Sequence, residues 1–152
     1  MNKIQKKAWD MGAVAPDFTL SDSDGIKVRL SSFQGRQPVV LVFYPGDMTP
    51  GCTKQLCSIR DDYAGFQKLN AQVLGVNHAD ADSHNKFIKK YKFQFPILID
   101  TGRKVSKMYG ALKYMFGNES IKRSVVVIGI DGRIKKVWRG MPGDNEIIAE
   151  LK

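Results

Sequence analysis

Apolar and polar positions change rhythm repeatedly along this chain, and each rhythm predicts an element. Residues 17–20 and 26–30 alternate, and Ser21-Asp22-Ser23-Asp24-Gly25 between them is turn-forming, which predicts a hairpin. Val39-Val40-Leu41-Val42-Phe43-Tyr44 is continuously apolar, as a strand covered on both faces requires. Cys52, Leu56, Ile59, Tyr63 and Phe66 follow at spacings of 4, 3, 4 and 3, a helical stripe. A strand Gln72–Val76 leads to a helix Ser83–Tyr91, with Asp80 and Asp82 as capping candidates. A strand Phe95–Asp100 precedes a short helix Lys104–Tyr109, stopped by Gly110. Ser124–Ile130 and Arg133–Trp138 flank Asp131-Gly132, a hairpin signal. A last helix, Asn145–Leu151, turns Ile147, Ile148 and Leu151 inward. Ala111–Ile121 shows neither period and is expected to be a flexible loop.

Crossovers between the early strands imply parallel pairs, and the late hairpin implies an antiparallel edge. The order predicts an α/β fold: a mixed central sheet, helices on both faces and an N-terminal β-hairpin. The 152 residues, without repeat or linker, fit one domain over 1–152.

Charge adds little. Twenty-four basic and 15 acidic residues give +9, which permits acidic partners or nucleic acid. The basic residues are scattered, however; the densest group, Lys86, Lys89, Lys90 and Lys92, lies on an expected helix and reads as a solvated face. No window approaches the ~18 apolar residues of a membrane span. The opening, Met1 to Asp10, is basic without an apolar stretch, so no secretory signal is expected. Two cysteines without such a signal point to a reducing compartment, where closely spaced thiols are more often catalytic or metal-binding than structural. The expected location is the cytoplasm, or an organelle after removal of a transit peptide.

The chemistry concentrates in Phe43-Tyr44-Pro45-Gly46-Asp47-Met48-Thr49-Pro50-Gly51-Cys52-Thr53-Lys54-Gln55-Leu56-Cys57. Both cysteines of the chain lie here, at the junction of an apolar strand and a helix. A helix N-terminus favours negative charge through its free N–H groups and dipole, so Cys52 stands where a thiolate is stabilised. Thr49 is near enough in sequence to offer its hydroxyl to whatever the thiolate attacks. A lone cysteine on an apolar stripe is commonly a core residue; the strand–loop–helix setting and the second thiol favour chemistry instead.

Spacing constrains that chemistry. Positions i and i+5 of an ideal helix differ by about 7.5 Å of rise and about 140° of rotation, which puts their Cα atoms about 8.6 Å apart. A disulfide needs less than about 7 Å. Cys52 and Cys57 therefore cannot bond while both lie on an intact helix.

The pattern Pro45-x-x-x-Thr49-x-x-Cys52 resembles the active-site motif of the peroxiredoxins. Thr49-Pro50-Gly51-Cys52-Thr53 with Cys57 resembles the peroxiredoxin Q, or bacterioferritin comigratory protein, subgroup. Weaker likenesses occur in order at Gly12–Leu20, Leu74–Val76, Asp82–His84, Phe95–Asp100 and Arg123–Ile128. The resemblance implies a thioredoxin-like fold, which agrees with the order of elements. It implies a thiol-dependent peroxidase acting on hydrogen peroxide and organic hydroperoxides. Cys52 would be the peroxidatic cysteine and Cys57 the resolving one, joined as an intramolecular disulfide. Thr49 and Arg123 would complete the peroxide site and Pro45 would shield it. A thioredoxin or similar dithiol would recycle the enzyme, with no cofactor or metal, as a monomer or weak homodimer. Gln55 stands where the family often has Glu; it can hydrogen-bond to an arginine but cannot pair with it in charge. Asn77-His78 stands where many relatives have Ser and a variable residue.

Three alternatives belong to other classes. Cys52-x4-Cys57 with His78-x5-His84 lies at the loose end of zinc-ligand spacings. A thioredoxin-like thiol–disulfide oxidoreductase is a second, although the usual Cys-x-x-Cys is absent. A basic nucleic-acid-binding module is a third, although no aromatic–basic interleaving supports it.

Overall fold

The computed structural model describes residues 7–152; Met1 to Lys6 of the basic opening lie outside them. Strands β1 (Thr19–Ser21) and β2 (Lys27–Arg29) form the expected antiparallel hairpin. The apolar run becomes β3 (Val39–Phe43), buried throughout. Helices α1 (Pro50–Asp61) and α2 (Tyr63–Lys68) lead to β4 (Gln72–Asn77). Then come α3 (Ala81–Tyr91), β5 (Ile97–Ile99) and α4 (Lys104–Met108). A hairpin of β6 (Leu112–Met115) and β7 (Asn118–Ile121) precedes β8 (Ser124–Ile128), β9 (Ile134–Arg139) and α5 (Asp144–Leu151).

The central sheet has the order β5-β4-β3-β8-β9. The pairs β3·β4 and β4·β5 are parallel; β3·β8 and β8·β9 are antiparallel. Side-chain alternation along β3 divides the core. Val40, Val42 and Tyr44 face Leu56, Ile59, Phe66, Phe87 and Ile147 of α1, α2, α3 and α5. Val39, Leu41 and Phe43 face Phe18, Leu30, Val105 and Tyr109 from the N-terminal segment and α4. Helices thus cover both faces, as the strand order requires.

Two expectations need correction. The stripe from Cys52 to Phe66 is not one helix: Asp62 adopts φ −97°, ψ 12°, ends α1, and starts a second helix at Tyr63. The helical phase survives the break, so Phe66 still reaches the same core. Ala111–Ile121 is not a flexible loop but mostly the β6–β7 hairpin, with Leu112↔Ile121 and Met115↔Asn118 in register. Its two-residue turn places Phe116 (φ 52°) and Gly117 (φ 77°) both at positive φ, the geometry of the tightest hairpin turns. A bulky aromatic seldom occupies such a position, and Phe116 is 96% exposed there.

Candidate active site

The sheet itself assembles the site. Because β8 runs antiparallel to β3 with Phe43↔Ser124 in register, the end of β3 lies beside the start of β8. Residues just after Phe43 and just before Ser124 therefore meet across a sequence gap of 71 residues.

The loop after β3 enters α1 through Thr49, an extended N-cap (φ −73°, ψ 148°), and Pro50, whose fixed φ suits a first helical position. The Thr53 N–H donates to the Thr49 carbonyl at 2.9 Å. Helix geometry leaves the N–H groups of Gly51 and Cys52 without intrahelical acceptors. Cys52 thus sits at the positive end of a 12-residue helix. It is fully buried among Tyr44, Leu56 and Ile59. Cys57, farther along α1, is only half-buried, and both thiols are free.

Arg123 reaches over the helix start. Its Nη2 donates to Cys52 Sγ at 3.2 Å and its Nη1 to Gln55 Oε1 at 2.6 Å. Gln55 is itself buried. The neutral amide thus orients the guanidinium by hydrogen bonding where a carboxylate would add charge. Gly51 makes room: a Cβ there would stand 3.1 Å from Arg123 Nη2.

Thr49 is turned differently from a simple donor. Its hydroxyl donates to the Gly46 carbonyl at 2.9 Å, leaving the oxygen lone pairs as acceptors. Pro45 lies half-buried at the root of the loop.

The sequence reading missed a second polar cluster beneath this loop. Asp47, with its side chain 4% exposed, accepts from Tyr44 Oη at 2.6 Å and from Ser83 Oγ at 2.7 Å, and lies 2.6 Å from His84 Nδ1. Burial alone would raise its carboxyl pKa. Hydrogen bonds from His84 and Tyr44 outweigh that and hold it below the usual carboxylate range. The other ring nitrogen of His84 lies 3.3 Å from the Asn77 carbonyl, so both ring nitrogens are within hydrogen-bond reach of an oxygen. A buried-position pattern around His84 on α3 was the one available signal; its partner lies 37 residues away.

Three of the four residues of the zinc alternative have other partners. Cys52 binds Arg123, His84 binds Asp47, and His78 Nε2 accepts from Arg103 Nη2 at 3.2 Å. Among the described residues, no three His, Cys, Asp or Glu side chains gather as metal ligands would. Among the same residues no helix is long and apolar enough to cross a membrane. An apolar hollow of about 180 Å³, lined by Val14, Leu30, Phe33 and Val39 among others, lies at the opposite end of β3, away from the thiols.

Comparison with known proteins agrees with this arrangement. The AhpC/TSA family model matches residues 11–137. Peroxiredoxin Bcp of Bacillus subtilis (strain 168) is 39% identical over 147 residues, covering 94% of this chain and 93% of that protein. Chloroplastic peroxiredoxin Q of Oryza sativa subsp. japonica is 54% identical over 116 residues, covering 76% of this chain and 53% of its own length. The chain thus spans about half the length of the rice and wheat relatives it matches. The crystal structure of peroxidoxin BcpB from Mycobacterium tuberculosis superposes with a TM-score of 0.85 at 32% identity, covering 93% of this chain and 95% of that one. The mixed sheet is therefore the thioredoxin-like fold of such proteins, and the chain belongs to the AhpC/TSA family of peroxiredoxins.

Proposed function

We propose that this chain is a thiol-dependent peroxidase that reduces hydrogen peroxide and organic hydroperoxides. The observation that carries this reading is the 3.2 Å contact between a fixed guanidinium and the buried Cys52 Sγ at a helix start. Negative charge on sulfur, and later on the departing oxygen, is stabilised by Arg123 and the free N–H groups of the first turn.

In this scheme the Cys52 thiolate attacks the terminal oxygen of ROOH. The S–O bond forms as the O–O bond breaks, and the electron pair leaves on RO⁻, which takes a proton to give ROH. Cys52 becomes a sulfenic acid. Arg123 donates to the oxygens as charge develops, and Thr49 Oγ1, with its proton on Gly46, accepts from the peroxide O–H. Pro45 shields the loop from bulk water. The Cys57 sulfur then attacks Cys52 Sγ; an S–S bond forms, the S–O bond breaks and water leaves. A thioredoxin-type dithiol supplies two electrons and restores both thiols. The +9 charge favours an acidic reductant. A redox-active dithiol of this kind suits a reducing compartment such as the cytoplasm.

The test is peroxide consumption by wild type, Cys52→Ser and Cys57→Ser with a thioredoxin system. Cys52→Ser should lose all turnover; Cys57→Ser should complete one peroxide reduction and fail to recycle through thioredoxin. Substantial peroxidase activity in Cys52→Ser would overturn the assignment. Disulfide reduction without peroxide consumption would favour a thiol–disulfide oxidoreductase.

A further inference from the structure

Hydrogen bonds to the helix that carries both thiols are unevenly spread. Ahead of the thiols, the loop is tied at Asp47 to Tyr44, Ser83 and His84. Behind them, Ser58 Oγ donates at 2.6 Å to Asp144 in the first turn of α5. Two residues on, Arg60 Nη1 donates to the Tyr91 carbonyl at 2.7 Å, and the Arg60 carbonyl accepts from Gln94 Nε2 at 3.1 Å. Over residues 48–57, among the described residues, the hydrogen bonds to other elements all come from Arg123, to Cys52 Sγ and Gln55 Oε1. Thr53 Oγ1 in the same stretch is buried without a partner among the described residues.

From this distribution we infer, on the strength of the peroxidase reading, that Asp47 and Ser58 bound the segment that unwinds when Cys52 and Cys57 join, and that Ser58 and Asp144 are positioning residues which set the rate of that step. The disulfide forms from the Cys52 sulfenic acid and the Cys57 thiol with loss of water. It requires Cα atoms closer than about 7 Å, against about 8.6 Å on an intact helix. Helix must therefore open, and it opens where least is lost. Inside the segment, among the described residues, one side chain from another element hydrogen-bonds to the helix, and one of its two contacts is the sulfur that oxidation alters. The other is a neutral amide, a weaker acceptor for a guanidinium than a carboxylate. Outside the segment, each further turn would break bonds to α3, α5 or the loop before α1.

The boundary has a defined signature. Unwinding that frees the carbonyls of residues 49–57 releases the amides from Thr53 to Asp61, each bonded four residues back. The Asp62 N–H donates to the Ser58 carbonyl at 3.0 Å and stays protected.

Hydrogen exchange on the reduced and peroxide-oxidised protein, with thiol titration to establish the disulfide, tests this together with rapid-mixing rates. Oxidation should speed exchange from Thr53 through Asp61 and leave Tyr44 and residues 62–66 unchanged. Ser58→Ala, at a partly exposed position, should extend fast exchange of the oxidised form to residues 62–66. It should also raise the rate of disulfide formation about fivefold, the weight of one hydrogen bond, with the peroxide step unaltered. Asp144→Ala should match it, and the double variant should be no faster than either single one. Asp144→Asn keeps an acceptor and should stay near wild type. Faster exchange at Tyr44 or at residues 62–66 in oxidised than in reduced wild type would overturn the inference, as would a wild-type resolving rate in Ser58→Ala. Two thiols still titrating after peroxide would overturn the peroxidase reading as well, a result distinct from a disulfide with the wrong boundaries.

Discussion

Two carboxylates stand at the two ends of the segment that carries the thiols, and their surroundings have opposite effects. Asp47 is buried under the loop, and hydrogen bonds from His84, Tyr44 and Ser83 outweigh burial and keep its pKa low. Asp144, at the start of α5, has among the described residues the Ser58 hydroxyl as its side-chain donor against partial burial and the neighbouring Asp62 and Asp61 carboxyls, and its pKa is pushed up to about 6. The difference teaches that burial alone does not decide how firm an anchor is. The number of donors per carboxylate does, because each stabilises the charged form that binds the next element. One end of the segment is fixed whenever Asp47 is ionised; the other is softer and answers to pH.

Removing the firm end breaks the comparison most severely. Asp47→Ala leaves the Tyr44 and Ser83 hydroxyls without their acceptor and His84 without its buried partner. The expected loss is about 3–5 kcal/mol of folding stability, the scale of breaking a buried pair by deleting one side, read as a lower urea midpoint. A change under about 1 kcal/mol would mean that the cluster is solvated and holds nothing in place.

Within the segment, the hold is Arg123. Arg123→Lys keeps the charge but cannot reach Cys52 Sγ and Gln55 Oε1 together from fixed positions. The first, peroxide-consuming step should slow by the equivalent of roughly 1.5–4 kcal/mol. A wild-type rate would remove Arg123 from the site. Gly51→Ala is the gentler version. Its new Cβ would stand 3.1 Å from Nη2, and the guanidinium must shift by a few tenths of an ångström. A slowing of about tenfold, with stability changed by under about 1 kcal/mol, is expected.

Much of this was legible in the chain, and the reasons differ by element. Val39–Phe43 and the Cys52–Leu56–Ile59 stripe could be read because burial on both faces, or on one helical face, imposes a period. The β6–β7 hairpin could not, because Lys113, Tyr114 and Met115 are all exposed and no face is selected for burial. Its turn also places Phe where Gly or Asn is usual. In the site, Cys52 was legible from its helix start and Arg123 only through family resemblance, since the register that joins them is tertiary. Asp47 and His84 stayed hidden for the same reason: nothing local links a loop aspartate to a histidine 37 residues on. The direction of the Thr49 hydroxyl, toward Gly46, is set by loop geometry that residue types do not reveal.

The smallest expected effect tests the soft end. The Asp144 pKa rises from an ordinary 3.8 to about 6, chiefly through burial and then through the Asp62 carboxyl, with Ser58 opposing. The helix dipole at the start of α5 would favour a charged Asp144, so the net rise means that burial and like charge win. A raised carboxyl pKa means that the folded state binds its proton more tightly than the unfolded one. The resulting stability is fully present below 3.8 and is lost as pH rises through about 6. Asp144→Asn removes that titration and keeps an acceptor for Ser58. The variant should therefore gain stability relative to wild type as the solution moves from about pH 4 to about pH 7, and the gap should stay level above that. Urea midpoints of both proteins across this range measure it. A wild-type-minus-variant difference that is flat with pH would mean that Asp144 is solvated, and one that moves the other way would mean that Asp144, like Asp47, is held below the usual carboxylate range.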